Sequence, residues 1–456
     1  MIVKNKYTEN AFIELENTKL TDAETILKKG LKAFEEIKKM PSYKRYEGLF
    51  EVSKNIEKNN EELAKIISIE SGKPIKYSEK EVKRAAVTIQ LSAEESKRMY
   101  GETLPLDIEP RGINRIAYYN RVPIGTIFSV TPFNDPLNLV AHKVGPAIAA
   151  GNSIINKPSS LTPYSSLKLN DLINESELPA NSMQTIIASG EGEVTSYFLN
   201  SDKIKMVTFT GGPEAAEKLI KKAGIKKYSM ELGNNSPVII WDNTNIDKMI
   251  ESVVEAAFES QGENCIHAQR ILIKDDIYDS IKNKMIHETE KLKIGDPLEH
   301  STDIGPMIGK GEAIRVYDAI REAEKNNAVV LTGGERVENI VKPTILENVN
   351  KESEIWKKEI FGPVTIIKPV KSIDEAIALS NDVPYGLQAG IFTSELDIAL
   401  KAIERLDYGT VLVNDTSDFR IDSMPFGGMK KSGLGREGIR FSIEEMTEIK
   451  LAIIKK

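Results

Sequence analysis

Apolar positions change their period along the chain. In the first hundred residues they recur at helical spacing, and Ile26, Leu27, Leu31, Phe34 and Ile37 fall on one stripe. Thr21-Asp22-Ala23-Glu24 has the pattern of a capping box, and Pro41 is placed to stop that helix. Lys/Glu-rich amphipathic segments continue to Tyr100, broken at Ser71-Gly72-Lys73-Pro74. From Ile113 to Val122 the pattern turns β-like. Beyond it, to about Met230, short apolar runs alternate with helices. Strands are expected at 126–131, 153–156, 182–188 and 206–210, and helices at 140–150 and 165–173. Such alternation predicts a parallel α/β sheet. A second α/β run covers 237–413, with strands at 270–273, 328–332 and 364–369, and residues 448–454 form a lone β-like tail. No repeat or low-complexity linker separates the runs, so the two halves are expected to pack against each other.

Composition narrows the class. The chain has 456 residues, 40% hydrophobic and 28% charged, enough apolar material for a large core in about three units. No apolar stretch approaches the ~18 residues of a membrane span, and the N-terminus lacks the apolar core of a signal peptide. A cytoplasmic protein is expected. A net charge of −7 leaves no cationic excess for nucleic acid. One cysteine excludes an intrachain disulfide and a multi-cysteine metal site, and no metal is expected.

That cysteine draws attention. Cys265 follows Gly262-Glu263-Asn264, where glycine permits close backbone approach and polar neighbours suit a thiolate. A lone cysteine is also commonly a small buried apolar residue. Glu231 stands between Met230 and Leu232 at the end of a strand-like run. It reads either as a solvated strand-end glutamate or as a general base with a raised pKa. Asn134, in Thr131-Pro132-Phe133-Asn134-Asp135-Pro136 at a strand's carboxyl end, is either a turn former or an amide aimed at an oxyanion. Phe209-Thr210-Gly211-Gly212-Pro213 runs from strand through a glycine turn to a proline suited to a helix's first turn. That arrangement offers free N–H groups to a phosphate.

Taken together, these segments resemble the hydrolytic NAD(P)-dependent aldehyde dehydrogenase superfamily over nearly the whole chain. Thr131–Pro136 resembles its oxyanion-asparagine loop and Asn156-Lys157-Pro158-Ser159 its cofactor lysine segment. Phe209–Gly212 resembles its cofactor turn, Glu231-Leu232-Gly233 its general-base box and Gly262–Cys265 its nucleophile box. Lys358–Val364 resembles its nicotinamide-ribose segment, and Pro425-Phe426-Gly427-Gly428 with Ser432–Glu437 its C-terminal loop. The resemblance implies an α/β fold with a Rossmann-type cofactor domain (1–108 and 124–231) and an α/β catalytic domain (232–430). A small β oligomerisation element (109–123 and 431–456) would pair residues 111–122 with the tail. A homodimer or homotetramer is implied.

The resemblance also assigns roles. Cys265 is the nucleophile, Glu231 the general base and Asn134 the oxyanion donor. NAD, with NADP also admitted, would be held by Thr131, Pro132, Phe133, Lys157, Ser159, Ser160, Phe209, Thr210, Gly211, Gly212, Pro213, Leu232, Glu359 and Phe361. NAD-specific family members often carry Glu where Ser160 stands, and without that carboxylate a 2′-phosphate is not repelled. Glu263 replaces a usual Gln, putting a negative charge two residues before the thiol, and Asn234 replaces a usual Gly. The substrate entrance, aromatic in relatives that oxidise apolar aldehydes, would here carry Asp135, Asn138, His142 and Arg420. The alternative expectation places Arg420 on the loop surface, paired with Asp418 or Asp422. The implied activity is oxidation of a small polar aldehyde, lactaldehyde first, as in the archaeal branch that serves deazaflavin coenzyme formation. Glyceraldehyde, its 3-phosphate and succinate semialdehyde are the alternatives. A coenzyme A-acylating relative and a non-catalytic crystallin-like protein are the remaining readings.

Overall fold

The structure, a computed structural model, describes residues 1–242 and 245–456. Two large sheets organise it. The first has six strands in the order Gly433–Leu434, Lys227–Glu231, Ile204–Thr210, Thr126–Val130, Ser153–Lys157 and Met183–Thr185. All run parallel except Gly433–Leu434, which pairs antiparallel with Lys227–Glu231. The chain builds outward from Thr126–Val130 and then returns to its other side, so the strand order reverses between Thr126–Val130 and Ile204–Thr210. Crevices for ligands open at the carboxyl ends of strands at such a reversal.

The second sheet has seven strands, ordered Val329–Thr332, Thr344–Glu347, Val364–Val370, Ala268–Lys274, Ser236–Ile240, Gln388–Phe392 and Thr410–Val413. It too is parallel, apart from Val329–Thr332 at one edge. Only residues 232–235 connect Lys227–Glu231 of the first sheet to Ser236–Ile240 of the second. This short link brings the carboxyl ends of the first sheet close to the second.

The helix Asn138–Ala149 is buried at every position, between Ile75–Ser96 and the first sheet. Its apolar side chains therefore read as a continuous run rather than one stripe. A third sheet pairs Arg115–Pro123 antiparallel with the tail strand Thr447–Lys455 on one side and Glu102–Leu104 on the other. The expected pairing of residues 111–122 with the tail is thus present, with Pro110–Gly112 forming a 3₁₀ turn before it. Among the described residues no helix is long and apolar enough to cross a membrane.

Local signals were less faithful than the periods. The first long helix starts at Leu20 with Lys19 at its N-cap and no side-chain cap, so the Thr21–Glu24 capping box does not form. Thr18 explains the earlier start: it exchanges backbone and side-chain hydrogen bonds with Ile187, docking the chain one turn upstream. Glu24 instead pairs with Lys28 at 2.7 Å on the surface. That helix ends at Ile37, and Pro41 opens the next one, Ser42–Lys58, as its N-cap. The strand expected at 182–188 shortens to Met183–Thr185 at the sheet edge.

Candidate active site

Cys265 lies just before the strand Ala268–Lys274, after a turn in which Ser260, Gln261 and Gly262 all adopt positive φ (52°, 58° and 65°). Two of these residues carry side chains, a conformation that costs roughly 1–2 kcal/mol each. Gly262 is required, because a Cβ there would collide with the Gly362 carbonyl. The thiol packs against Ile266, Leu387 and Phe426. It opens on a cavity of about 380 Å³ that Asn134, Asp135, Lys73, Arg84, Arg420 and Phe426 also line. Burial first, and the Glu359 carboxylate next, push its pKa up, while Arg420 pulls it down. No described group hydrogen-bonds the Asn134 side-chain amide, which is left available at the same cavity.

Glu231 ends its strand 2% exposed, and among the described residues neither carboxylate oxygen has a hydrogen-bond partner. Burial raises its pKa well above the ordinary carboxylate value, and the nearby Glu437 raises it further, against Lys143, Arg420 and Arg436. Gly427, next to the cavity-lining Phe426, passes so near that a Cβ there would lie 3.0 Å from Glu231 Oε1. The glutamate is an orphaned, buried carboxyl group beside the thiol's wall, not a solvated strand end.

The segments expected to hold the cofactor gather at the carboxyl ends of the first sheet. Lys157 ends its strand 5% exposed with no carboxylate beside it among the described residues, and burial lowers its pKa to about 8. Thr210 Oγ1 is buried without a partner. Gly211 and Gly212 lead into the helix Pro213–Ala223, with proline in its first turn as expected. Thr131 is buried, Ser159 and Leu232 half-buried, and Ser160 exposed on the turn beyond Lys157. Phe133 meets Phe361 edge-to-face at 5.7 Å, joining the loop after a strand of the first sheet to the approach to one in the second. Phe361 adopts φ 45°, and Glu359 beside it accepts the Asn234 N–H at 2.9 Å.

Two of the expected pocket residues lie elsewhere. Asn138 and His142 are fully buried and outside the cavity wall, because the helix that carries them is enclosed on all sides. Asn138 accepts the Thr88 hydroxyl at 2.9 Å, and the His142 ring bonds Asp422 at 2.8 Å. Arg420 does line the cavity, but it is no surface group: its side chain is 7% exposed. It donates to Glu437 at 3.1 Å, stacks 3.7 Å from the Phe426 ring centroid and leaves Nε without a partner. Asp422 pairs with Arg84 at 3.0 Å and with His142 rather than with Arg420.

Several cavity residues escaped the sequence reading, and three of them hold the loop and the wall together. Lys73, Glu81 and Arg84 come from the helical N-terminal region, where charged residues read as solvated faces. Lys73 bonds both Asp135 and Glu81, the latter at 2.6 Å, and is almost fully buried. Glu81 also accepts the Leu137 and Asn138 N–H groups, tying that helix to the loop that carries Asn134. The only hint in the sequence was a lysine inside the Gly-Lys-Pro break.

Both departures in the nucleophile and base boxes have a structural account. Glu263 turns its carboxylate to the Ile308 N–H at 3.1 Å, and burial raises its pKa to about 8. Near neutral pH it therefore holds its proton and adds little negative charge beside the thiol. The Asn234 side chain bonds Ser236, the Gln388 carbonyl and the Leu387 N–H, and so braces the strand end that packs on Cys265.

The chain is similar to known proteins over nearly its whole length. The model described as the aldehyde dehydrogenase family matches residues 1–452. A 3-sulfolactaldehyde dehydrogenase of Priestia aryabhattai is 41% identical over 454 residues, covering 100% of this chain and 94% of the relative. A lactaldehyde dehydrogenase of Methanococcus maripaludis is 38% identical over 423 residues, covering 92% of this chain and 89% of the relative. The solved glyceraldehyde-3-phosphate dehydrogenase GapN of Methanocaldococcus jannaschii, complexed with NADP, superposes with a TM-score of 0.95 at 36% identity. It covers 100% of this chain and 99% of that one.

Proposed function

The chain belongs to the aldehyde dehydrogenase family, and from that premise we propose that it oxidises a small polar aldehyde, lactaldehyde first, to the free carboxylate with NAD or NADP. The observation that carries this reading is the lone cysteine on a polar cavity wall that Asn134 shares, with the orphaned Glu231 carboxylate behind that wall against Gly427. In this reading the Cys265 thiolate adds to the aldehyde carbon. The Asn134 amide and the Cys265 N–H hold the oxygen as it becomes negative. Glu231, once deprotonated, takes a proton from the water that hydrolyses the cysteine thioester. Arg420, by lowering the pKa of both groups, favours their reactive forms.

A dinucleotide fits the residues at the first sheet's carboxyl ends. Among the described residues Lys157 is a buried cation without a counter-charge, Thr210 Oγ1 an orphaned hydroxyl, and the Gly212–Pro213 turn a helix start with free N–H groups. Such a surface suits phosphate and ribose hydroxyls. Thr131, Pro132, Phe133, Ser159, Ser160, Phe209 and Leu232 would complete that wall, with Glu359 and Phe361 at the nicotinamide-ribose end. Bound there, the cofactor supplies the hydride acceptor. The six-stranded sheet with its helices is then the cofactor unit and the seven-stranded sheet the catalytic unit. The tail strand, with Ile449, Leu451 and Ile453 exposed, would mediate a homodimer or homotetramer.

A second substrate class is favoured by one observation. Arg84 and Arg420 both line the cavity, and Arg420 keeps an unpartnered Nε. A guanidinium pair suits an aldehyde whose far end is anionic, such as one bearing a carboxylate, phosphate or sulfonate. Formation of NADH and NADPH, measured with lactaldehyde, anionic aldehydes and hexanal, tests both readings. Repeating it with coenzyme A and with Cys265→Ala tests the mechanism. A requirement for coenzyme A, or turnover by the alanine variant, would sink the hydrolytic mechanism; no reduction with any aldehyde would sink the activity.

A further inference from the structure

Glu359 is held from two directions. Its carboxylate accepts the Asn234 N–H, and Gly233 runs so close to it that a Cβ there would collide. The backbone on both sides of it is held by one buried side chain, Gln269, on the strand that follows Cys265. Gln269 Oε1 accepts the Ile360 N–H at 2.9 Å, while Nε2 donates to the Lys358 carbonyl at 2.8 Å and to the Ile355 carbonyl at 3.2 Å. Both amide hydrogens and the amide oxygen are thus spent on a single segment.

Asn235 reinforces the hold. Its Nδ2 donates to the Lys358 carbonyl at 3.0 Å and to the Trp356 carbonyl at 2.8 Å, and its Oδ1 accepts from Arg270 Nε at 2.6 Å. The held segment has little regularity of its own. After one helical turn, Glu354–Lys357, the chain is irregular up to Val364 and passes through Phe361 at positive φ. Without repeating backbone bonds such a stretch takes its shape from the side chains that bind it. Gln269 lies four residues after Cys265, so its three bonds also set where Glu359 stands relative to the thiol's strand.

We propose that Gln269, braced by Asn235 and Arg270, is a positioning residue for the dinucleotide, clamping Lys358 and Ile360 so that the Glu359 carboxylate meets the ribose next to the nicotinamide. This rests on the reading of Glu359 as a ribose ligand, and the test separates the two. Calorimetric titration of NADH and NADPH is applied to the full-length wild type, Gln269→Leu, Glu359→Ala and the double variant. Gln269→Leu is expected to weaken dinucleotide binding about tenfold, the scale of one lost hydrogen bond, with the aldehyde KM unchanged. The double variant should bind no more weakly than Glu359→Ala alone, because Gln269 acts through that carboxylate.

Unchanged binding in Gln269→Leu, or losses that simply add in the double variant, would overturn the clamp while leaving the Glu359 reading intact. Normal binding by Glu359→Ala would overturn both. Should Gln269→Leu lack a native melting transition, Gln269→Glu carries the same comparison. It keeps the acceptor for Ile360 and sets a carboxylate against two carbonyls, so weaker dinucleotide binding is again expected and wild-type binding again overturns the clamp.

Discussion

The Arg420 guanidinium donates to the Glu437 carboxylate at 3.1 Å while its face lies on the Phe426 ring. One side chain therefore belongs both to the cavity wall beside Cys265 and to the charges that surround Glu231. Lys143 bonds Glu437 from the other side, and although burial opposes it, Lys143 and Arg420 together lower the Glu437 pKa to about 2. Glu437 thus stays ionised, and its charge helps Glu231 to keep a proton.

Arg420→Leu is expected to lower kcat/KM for lactaldehyde and for anionic aldehydes by roughly ten- to hundredfold, and for hexanal by less. A polar wall loses water without gaining a partner when an apolar chain enters, so the wild type should prefer lactaldehyde to hexanal. Rates measured for both aldehydes in both proteins decide the matter. Equal losses, or a wild-type preference for hexanal, would defeat the polar-pocket reading.

Glu231→Gln should slow thioester hydrolysis by about two to four orders of magnitude and the first oxidation much less. Stopped-flow absorbance would then show a burst of reduced cofactor before a slow steady state. In the wild type, burial holds both Glu231 and Cys265 above their ordinary pKa values, so their reactive, deprotonated forms grow as pH rises. The turnover rate should therefore rise with pH above the ordinary carboxylate range. A profile that falls with pH, or a Gln variant without a burst, removes Glu231 from the role of base.

Ser160 is exposed just past Lys157, and Ser160→Glu places a negative charge there. Repulsion of about 1–4 kcal/mol from a 2′-phosphate would shift preference from NADP toward NAD. Dissociation constants for both dinucleotides report this directly. An unchanged ratio means that residue 160 does not face the adenosine ribose.

Glu263→Gln addresses stability. Burial raises the Glu263 pKa from the ordinary carboxylate range to about 8. The folded state therefore binds a proton that the unfolded chain releases at lower pH. The stabilising contribution of that proton is full below the unfolded pKa and is lost as pH rises toward 8. Glutamine keeps an acceptor for the Ile308 N–H and has no proton to lose. The variant's Tm should exceed that of the wild type by several degrees near pH 8.5 and by much less near about pH 5. The same gap at both pH values would show that Glu263 does not titrate in this range.

Periodicity alone determined much of the fold. The change from helical spacing to alternating apolar runs marks both parallel sheets, and the β-like stretch near residue 118 and the β-like tail are both strands, although only the family resemblance implied that they pair. Burial of whole faces repeats along the chain, so it leaves a readable trace. The motifs around Asn134, Glu231 and Cys265 were legible for a related reason: each sits at a strand end, where short-range sequence sets backbone direction. What the chain could not reveal by itself was contact between distant segments. Lys73 and Arg84 reach the cavity only because the N-terminal helices pack on Asn138–Ala149, and that packing encloses Asn138 and His142 instead of exposing them. The same holds for the charge on Glu263, which is set by burial against Ile308, forty-five residues away. Local spacing fixes which face a side chain leaves from, but tertiary packing decides whether that face meets water, a ligand or another charge.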